Sequence, residues 1–357
     1  MIYPMLCARI HEYSKPLVID EVQAPSISSG EQVLVRVGAT GLCHSDLHLI
    51  GGNFRNVIPL HLPTIPGHEV AGWIEDLGDA VPKNIMDKGD LVAVFAGWSC
   101  GICGFCKSGN EQLCNDAKWP GVISNGGFAE YILVPSYRFL IKVDKEAGIE
   151  SDHLAPLTDA GVTPFRAIKK VRNLLGRGKE IAILGIGGLG SYAIQYAKIF
   201  SAGATVIALG RNNKKLELAQ EFGADHVVNI KGKSNDQVRK EIDNVTRGKG
   251  IDVILDTVGL EQTVQTDLRI LAKGGALVIV GLFGNEISIP AFAAVANEFQ
   301  FYGSFWGNYN ELTEIIELAK RAQIRHRIQK FKLSEINEAV ISLEQGLIVG
   351  RGIILPQ

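Results

Sequence analysis

The chain has 357 residues and a formal net charge of −2, and 46% of its residues are hydrophobic. This length allows two domains, and the nearly balanced charge, without a basic run interleaved with aromatic residues, argues against a nucleic-acid partner. Because the sequence shows no secretory signal pattern and no apolar stretch of about 18 residues, we expect a soluble cytoplasmic protein without a membrane span.

The first 150 residues are predicted to be mainly β, because short alternating or apolar segments are separated by glycine and proline. Ser151 is predicted to be the N-cap of a helix over Ser151–Thr158, and another helix is expected over Pro164–Val171. The predicted strands of this part are Glu31–Val37, Glu69–Leu77, Asp90–Val94, Phe128–Val134 and Arg138–Val143.

From about residue 180 the pattern changes, and short apolar strands alternate with segments of helical periodicity. This alternation predicts an α/β domain with a doubly wound parallel sheet. The predicted strands are Ile181–Leu184, Thr205–Leu209, His226–Val228, Asp252–Leu255, Ala276–Val280 and Phe299–Tyr302, and the helices lie near residues 189–200, 213–222, 235–247 and 261–272.

The remaining residues are predicted to form helices near 310–322 and 334–344 and a last strand, Gly352–Leu355. This tail is short for an independent domain, so we expect it to pack on the first domain. The predicted domains are therefore residues 1–160 with 304–357, and residues 161–303 as a nucleotide-binding insert.

A glycine motif follows the apolar strand Ile181–Leu184 and precedes a helical pattern, which is the context of a dinucleotide fingerprint. Its glycines permit a tight turn, close approach of a pyrophosphate and close packing of helix on strand. The alternative is a glycine-rich turn without a ligand. The predicted cofactor-binding residues of this turn are Gly185, Gly187, Gly188, Leu189 and Gly190.

Four of the six cysteines, Cys100, Cys103, Cys106 and Cys114, lie within fifteen residues. In a long chain without a secretion signal, such clustering indicates metal ligands rather than disulfides. Four thiolates can complete the tetrahedral shell of a structural Zn²⁺. An iron–sulfur cluster is the rival interpretation, but ferredoxins continue the pattern with C-x3-C-P, which is missing here.

A second, dispersed set of candidate ligands lies in GLCHSDLH (residues 41–48) and GHE (67–69). It offers the thiol of Cys43 and the imidazole of His68, with Asp46 and Glu69 close by in sequence. A catalytic zinc needs three protein ligands and one open position, so this set is a candidate for such a site.

Taken together, GLCHSDLH, GHE, the four-cysteine loop, GIGGLG and VGRGIILP resemble, in this order and spacing, the zinc-dependent medium-chain alcohol dehydrogenases. The resemblance spans essentially the whole chain and is closest to the microbial branch that acts on secondary and aromatic alcohols. It implies a GroES-like, mainly β catalytic domain, a Rossmann domain and two Zn²⁺ ions per chain.

The resemblance implies that Cys43 and His68 are ligands of the catalytic zinc. Many members have a cysteine as third ligand, in a segment like LTCSGITTYRA; here the segment is LTDAGVTPFRA, with Asp159 at that position. Similar members with aspartate are known, and a carboxylate oxygen is a competent ligand. Glu69 is expected close behind the metal, as a transient or alternative ligand, and Asp46 is expected to orient the His68 imidazole.

For the chemistry, the resemblance implies that zinc polarises the substrate oxygen and that Ser45 forms a hydrogen bond with this oxygen. The proton is then expected to reach His48 by way of the ribose of the cofactor. Hydride moves between the substrate carbon and the nicotinamide ring.

Further cofactor contacts follow from the same match. His44 and Arg351 are expected near the pyrophosphate, Thr163 near the nicotinamide, and the backbone of Val280 to Leu282 near the carboxamide.

The choice between NADP(H) and NAD(H) depends on the end of the second strand of the insert, where NAD-binding domains carry an acidic residue. Gly210 occupies this position and Arg211 follows it, with Lys214 and Lys215 nearby. Without a carboxylate to repel a 2′-phosphate, and with a guanidinium able to bind one, the sequence favours NADP(H), with NAD(H) as the alternative.

Trp98 and Trp119 resemble aromatic positions that line the substrate cleft in related microbial enzymes, and Phe54 and Phe283 are expected to join them. Such a pocket favours an apolar alcohol or its ketone or aldehyde. A sugar or polyol dehydrogenase on the same scaffold is the alternative, and a non-catalytic NADP-sensing protein is an alternative of another class. The zinc-free enoyl reductases are disfavoured because they have no use for the two cysteine-containing sets. The apolar segment 286–296 resembles the region through which relatives extend their sheets across a two-fold axis, and this resemblance implies a homodimer or homotetramer.

Overall fold

The computed structural model describes residues 4–284 and 286–356. The first part of the chain is mainly β, as predicted. Its elements, numbered along the chain, are β1 (Pro4–Arg9), β2 (Val18–Gln23), β3 (Val33–Leu42), α1 (His44–Ile50), β4 (Glu69–Leu77), β5 (Leu91–Val94), α2 (Gly104–Lys107), β6 (Tyr131–Val134), β7 (Leu140–Val143) and α3 (Ser151–Leu154).

The middle of the chain alternates between strand and helix, which confirms the predicted α/β class. Its elements are α4 (Val162–Val171), β8 (Glu180–Leu184), α5 (Gly188–Phe200), β9 (Thr205–Gly210), α6 (Asn213–Glu221), β10 (His226–Asn229), α7 (Asn235–Thr246), β11 (Ile251–Asp256), α8 (Glu261–Ile270), β12 (Leu271–Ile279), α9 (Ala291–Ala296) and β13 (Gln300–Gly303).

The last part contains α10 (Tyr309–Lys320), β14 (Ile328–Lys332), α11 (Ile336–Glu344) and β15 (Arg351–Leu355). The chain divides into two compact units, Met1–Val162 with Gly307–Gln357 and Thr163–Trp306. No helix within the described ranges is both long and apolar enough to cross a bilayer.

The first unit is built on a sheet with the strand order β14-β15-β3-β4-β5-β7, to which β6 adds by pairing with β3. Neighbouring strands are antiparallel except β14 and β15. Within this sheet Gly41 of β3 lies opposite Glu69 of β4, and Gly352 of β15 lies opposite Leu42. The sheet therefore brings the end of the chain beside two segments that carry predicted metal ligands.

The second unit contains a parallel sheet with the order β10-β9-β8-β11-β12-β13. Its central strands are apolar along their length because helices cover both faces of such a sheet; the side chains of Ile181 to Leu184 are at most 1% exposed. From β8 the chain adds β9 and β10 on one side, and it then crosses back to add β11, β12 and β13 on the other side of β8. This reversal leaves a crevice beyond the carboxyl ends of β8 and β11, where open α/β sheets bind ligands.

Several local predictions were wrong. Ser151 is not an N-cap: Glu150 takes that position in extended conformation, Ser151 is the first helical residue, and the helix tightens into a 3₁₀ turn after Leu154. The helix predicted to Ala272 ends at Ile270, because Leu271 already belongs to β12. The strand expected from Phe128 begins only at Tyr131.

Candidate active site and metal centres

The dispersed ligand set comes together in the first unit. Cys43 is the N-cap of α1, His68 and Glu69 lie where β4 begins, and Asp159 follows the 3₁₀ turn after α3. One donor atom from each of these four residues lies within 4.8 Å of the others. Cys43, His68 and Glu69 are at most 5% exposed, so the space between their donor atoms is largely shielded from solvent.

The distances within this set suit a tetrahedral Zn²⁺ ion. Cys43 Sγ lies 3.5 Å from Asp159 Oδ2, and His68 Nε2 lies 3.4 Å from the same oxygen. Zinc bonds of about 2.0–2.3 Å separate tetrahedral ligand atoms by about 3.3–3.8 Å. The thiol, imidazole and carboxyl groups of these residues therefore fit a zinc ion in both chemistry and spacing.

Asp46 is completely buried, and it contacts both the segment that carries Cys43 and the segment that carries His68. Its carboxylate accepts hydrogen bonds from the backbone N–H groups of Cys43, at 2.8 Å, and Gly67, at 3.3 Å. Its Oδ1 atom lies 3.5 Å from His68 Nδ1. Such a contact would orient the ring with Nε2 toward a bound metal, and this role of Asp46 stays a prediction.

The carboxylate of Glu69 is bound by Arg351 in a two-point contact. Arg351 Nε donates to Oε2 at 2.9 Å, its Nη2 donates to Oε1, and the N–H of Ala160 donates to Oε1 at 3.0 Å. Burial raises the pKa of Glu69 to about 7, against the opposing effect of Arg351. A Cβ at Gly41 would lie 1.7 Å from Glu69 Oε2, so only glycine leaves room for this carboxylate.

Arg351 is 3% exposed, and its Nη2 also lies 3.6 Å from Asp159 Oδ2. Its contact with Glu69 is one that sequence reasoning missed, whereas its predicted contact with a pyrophosphate stays a prediction. Burial acts to raise the pKa of Asp159, but the hydrogen bond and charge of His68 and the charge of Arg351 lower it. Asp159 is thus ionised, which is the state that a metal ligand needs.

The predicted proton-transfer residues lie on α1. Ser45 Oγ lies 3.7 Å from Cys43 Sγ, and His48 follows three residues later, on the same side of the helix. The His48 ring lies 5.0 Å from the Phe54 ring, between centroids, and Asn53 Nδ2 lies 3.4 Å from His48 Nδ1. Burial lowers the pKa of His48, so this histidine is neutral at pH 7.

The four-cysteine loop also suits zinc. The Cys103 and Cys106 sulfurs lie 3.4 Å apart and the Cys100 and Cys106 sulfurs 3.9 Å, far beyond a disulfide bond, and all four sulfurs lie within 4.8 Å of one another. Zn–S bonds of about 2.3 Å give sulfur separations of about 3.8 Å. Hydrogen bonds from the backbone of Ile102 and Cys103 lower the pKa of Cys100 to about 6, which favours the thiolate.

Three of the four predicted substrate-pocket residues, Phe54, Trp98 and Trp119, lie in the first unit. Phe54 lies beside His48, as described above. Trp98 is 6% exposed and lines a depression with Cys100 and Phe139, while Trp119 packs against the cysteines. Phe283 belongs to the second unit, where its side chain is 41% exposed. The pocket as a whole stays a prediction.

The fingerprint turn has the form that its sequence predicts. Gly185 follows β8 with φ of +91°, and Gly187 is the N-cap of α5. A Cβ at Gly190 would lie 2.0 Å from the carbonyl oxygen of Gly185, whereas a Cβ at Gly187 would meet nothing within 4 Å. The helix N-terminus therefore faces open space, which suits an approaching pyrophosphate.

The cofactor roles of the other predicted residues stay predictions, and the structure gives only their positions. Gly210 ends β9 and Arg211 is exposed directly after it; Lys215 lies in the first turn of α6, where burial lowers its pKa. Thr163 and Val280 are buried, and His44 is the first residue of α1. Sequence reasoning missed Thr257, whose hydroxyl contacts the fingerprint turn; its only signal was the D-T-V-G segment after a strand.

The chain is similar to known proteins along most of its length. Residues 29–145 match the alcohol dehydrogenase GroES-like domain, and residues 188–321 match the zinc-binding dehydrogenase model. The chain is 40% identical to a NAD-dependent alcohol dehydrogenase of Sulfurisphaera tokodaii, over 99% of this chain and 100% of the relative. It is 35% identical to a D-arabinose 1-dehydrogenase (NADP(+)) of Saccharolobus solfataricus, over 98% of this chain and 97% of the relative.

Among solved structures, the alcohol dehydrogenase of the hyperthermophilic archaeon Aeropyrum pernix is similar with a TM-score of 0.92 and 38% identity, covering 98% of this chain and 100% of that chain. Fold, both domain models and full-length relatives agree with the resemblance carried by the motifs. The chain therefore belongs to the zinc-type medium-chain alcohol dehydrogenase family.

Proposed function

We propose that this protein is a zinc-dependent alcohol dehydrogenase that transfers hydride between an apolar secondary or aromatic alcohol, or its ketone or aldehyde, and NADP(H). The observation that carries the proposal is the donor set of Cys43, His68 and Asp159, whose spacing suits zinc. The fingerprint turn of the second unit supports a dinucleotide cofactor.

Cys43, His68 and Asp159 would hold the catalytic zinc, and the four-cysteine loop would hold a structural one. When bound, the catalytic zinc supplies a Lewis acid at the substrate oxygen. Asp46 keeps the His68 imidazole in place. Glu69 is already bound by Arg351 and the Ala160 N–H group, which leaves room for substrate as the remaining ligand.

Ser45 and His48 would move the proton. A hydroxyl donates and accepts at once, so Ser45 Oγ can take the proton of the alcohol while it passes its own on. His48 is neutral at pH 7 because burial lowers its pKa, and a neutral imidazole can accept that proton near the surface.

For the cofactor, Gly210 and Arg211 support NADP(H), because no carboxylate at the end of β9 would repel a 2′-phosphate. The relatives include both a NAD-dependent alcohol dehydrogenase and a D-arabinose dehydrogenase that uses NADP(+), so NAD(H) is the alternative. The second relative also favours a second candidate function, oxidation of a sugar by the same machinery.

We also infer a homodimer or homotetramer. On α9, Phe292 is 87% exposed and Val295 is 78% exposed, and their spacing places them on one side of the helix. The neighbouring strand β13 is an edge of the parallel sheet. An apolar helix face next to a sheet edge is a surface that a second copy could cover.

The metal site is tested with Asp159→Asn. We expect two zinc ions per wild-type chain and one in the variant, with a loss of at least about a hundredfold in NADPH oxidation with ketones, since a ligand matters more than its supporting groups. Asp144→Asn, at a carboxylate that is 64% exposed, is the control. Full ketone reduction after chelation, or two zinc ions in the Asp159 variant, would refute this site. Turnover with sugars alone would favour the second candidate, and cofactor binding without any turnover would favour a sensor.

The proton-transfer role of His48 predicts a pH effect. Alcohol oxidation needs the neutral imidazole, so kcat/KM should fall as pH falls through the lowered pKa of His48, below about 6.5. His48→Gln should remove this acid limb and lower kcat by about a hundredfold. His61→Gln, at an exposed histidine, should leave the profile unchanged. An acid limb that survives in the His48 variant would exclude this role.

Cofactor choice is tested with Gly210→Asp. The new carboxylate should repel a 2′-phosphate and bind ribose hydroxyls, and so shift the ratio of kcat/KM values toward NADH by at least about tenfold, or about 1.4 kcal/mol. Gly210→Ala is the matched control, because its Cβ meets Leu216 Cδ2 at 3.2 Å but adds no charge. If the aspartate variant still prefers NADPH as strongly as wild type, the interpretation of this strand end is wrong.

Oligomerisation is tested by light scattering. The wild-type protein should be a dimer or tetramer, and Phe292→Asp should lower the mass, because a charge cannot be buried there without a partner. Val57→Asp, at a valine that is 82% exposed in the first unit, should not. A monodisperse wild-type monomer would overturn the inference.

A further inference from the structure

The loop after β11 is held by Asp256, whose carboxylate is completely buried. It accepts hydrogen bonds from the backbone N–H groups of Val258, at 2.7 Å, and Gly259, at 3.0 Å, and from the hydroxyl of Thr263, at 2.7 Å. A buried carboxylate with three donors fixes the backbone around it. The loop 257–260 therefore has one defined position at the carboxyl end of its strand.

Thr257 connects this loop to the end of the neighbouring strand β8. Its N–H donates to the carbonyl of Leu184 at 3.0 Å. Its hydroxyl lies 3.0 Å from the same oxygen and 2.8 Å from the carbonyl oxygen of Gly185, so its single proton is shared between two acceptors. A Cβ at Gly185 would lie 2.6 Å from Thr257 Oγ1, so this hydroxyl packs directly on the first glycine of the fingerprint.

The carbonyl of Gly185 is confined from the other side as well. The Cα of Gly190 lies so close that a Cβ there would be 2.0 Å from this oxygen. Thr257 and Gly190 together thus set where the turn ends and where α5 begins. The first N–H groups of α5 are the groups that would face a pyrophosphate.

The same loop contacts the turn after β12. Val258 accepts a hydrogen bond from the N–H of Phe283 at 3.1 Å, and Gly259 accepts one from Gly284 at 2.9 Å. A Cβ at Gly259 would lie 2.1 Å from the carbonyl oxygen of Gly281. Since β8, β11 and β12 are neighbours in the sheet, the loop 257–260 lies between two turns that carry predicted cofactor contacts.

We propose that Thr257 is a positioning residue for the dinucleotide, whose hydroxyl holds the Gly185 carbonyl and so keeps the fingerprint turn in the form that binds pyrophosphate. The inference rests on the proposed function, because it assumes a nicotinamide cofactor at this turn. Thr257 acts through the turn, at the crevice where the strand order reverses, and contributes no chemistry of its own.

The test is Thr257→Val, which keeps the shape of the side chain and removes the hydroxyl. The dissociation constants of NADPH and NADH, measured by fluorescence titration of the metal-loaded protein, should rise by about five- to twentyfold, because a backbone carbonyl loses its donor. At saturating cofactor, kcat should be nearly unchanged. Thr257→Ser, which keeps the hydroxyl, should bind cofactor as the wild type does.

Thr266→Val is the matched control. Thr266 is 7% exposed, and its hydroxyl donates to Asn235 and Gln262, away from the fingerprint. Both valine variants should lower Tm to a similar extent, but only Thr257→Val should weaken cofactor binding. Equal dissociation constants in Thr257→Val and wild type, or weakened binding in Thr257→Ser, would overturn the inference and leave the proposed function intact. A wild-type protein that binds neither cofactor would overturn both.

Discussion

The buried ion pair of Arg351 and Glu69 is the constraint on which the first unit depends. The two residues are 282 positions apart in sequence, and both are almost completely buried. Removing one partner of such a pair leaves an uncompensated buried charge, at a cost of about 3–5 kcal/mol. The end of the chain must therefore return to the first sheet, where β15 pairs with β3 and β3 with β4.

Two carboxylates beside the proposed metal ligands are already stabilised by other groups of the protein. Glu69 is neutralised by Arg351, and Asp46 is stabilised by two backbone N–H groups and His68. Cys43 and Asp159 then remain as candidate ligands, and a thiolate and a carboxylate together would match the charge of a divalent cation, which supports the proposed metal site.

Sequence patterns predicted the features that depend on residues close together in the chain. The apolar strands of the parallel sheet follow from burial on both faces, and Glu69–Leu77 was predicted with the bounds of β4. Helix α1 was missed because its seven residues, HSDLHLI, show no apolar stripe. The contacts of Arg351 with Glu69 and of Thr257 with Gly185 join distant segments, and no spacing in the sequence encodes which strands become neighbours.

In each unit, a glycine stands where two segments approach so closely that no side chain would fit between them. A Cβ at Gly41 would displace Glu69, and a Cβ at Gly190 would displace the carbonyl of Gly185. Neither residue needs positive φ, so space rather than backbone conformation requires glycine at both positions. Alanine there would force backbone or a buried charge to move, and packed interiors tolerate such shifts poorly. Gly41 of GLCHSDLH and Gly190, the last glycine of GIGGLG, are thus required by the close packing around them.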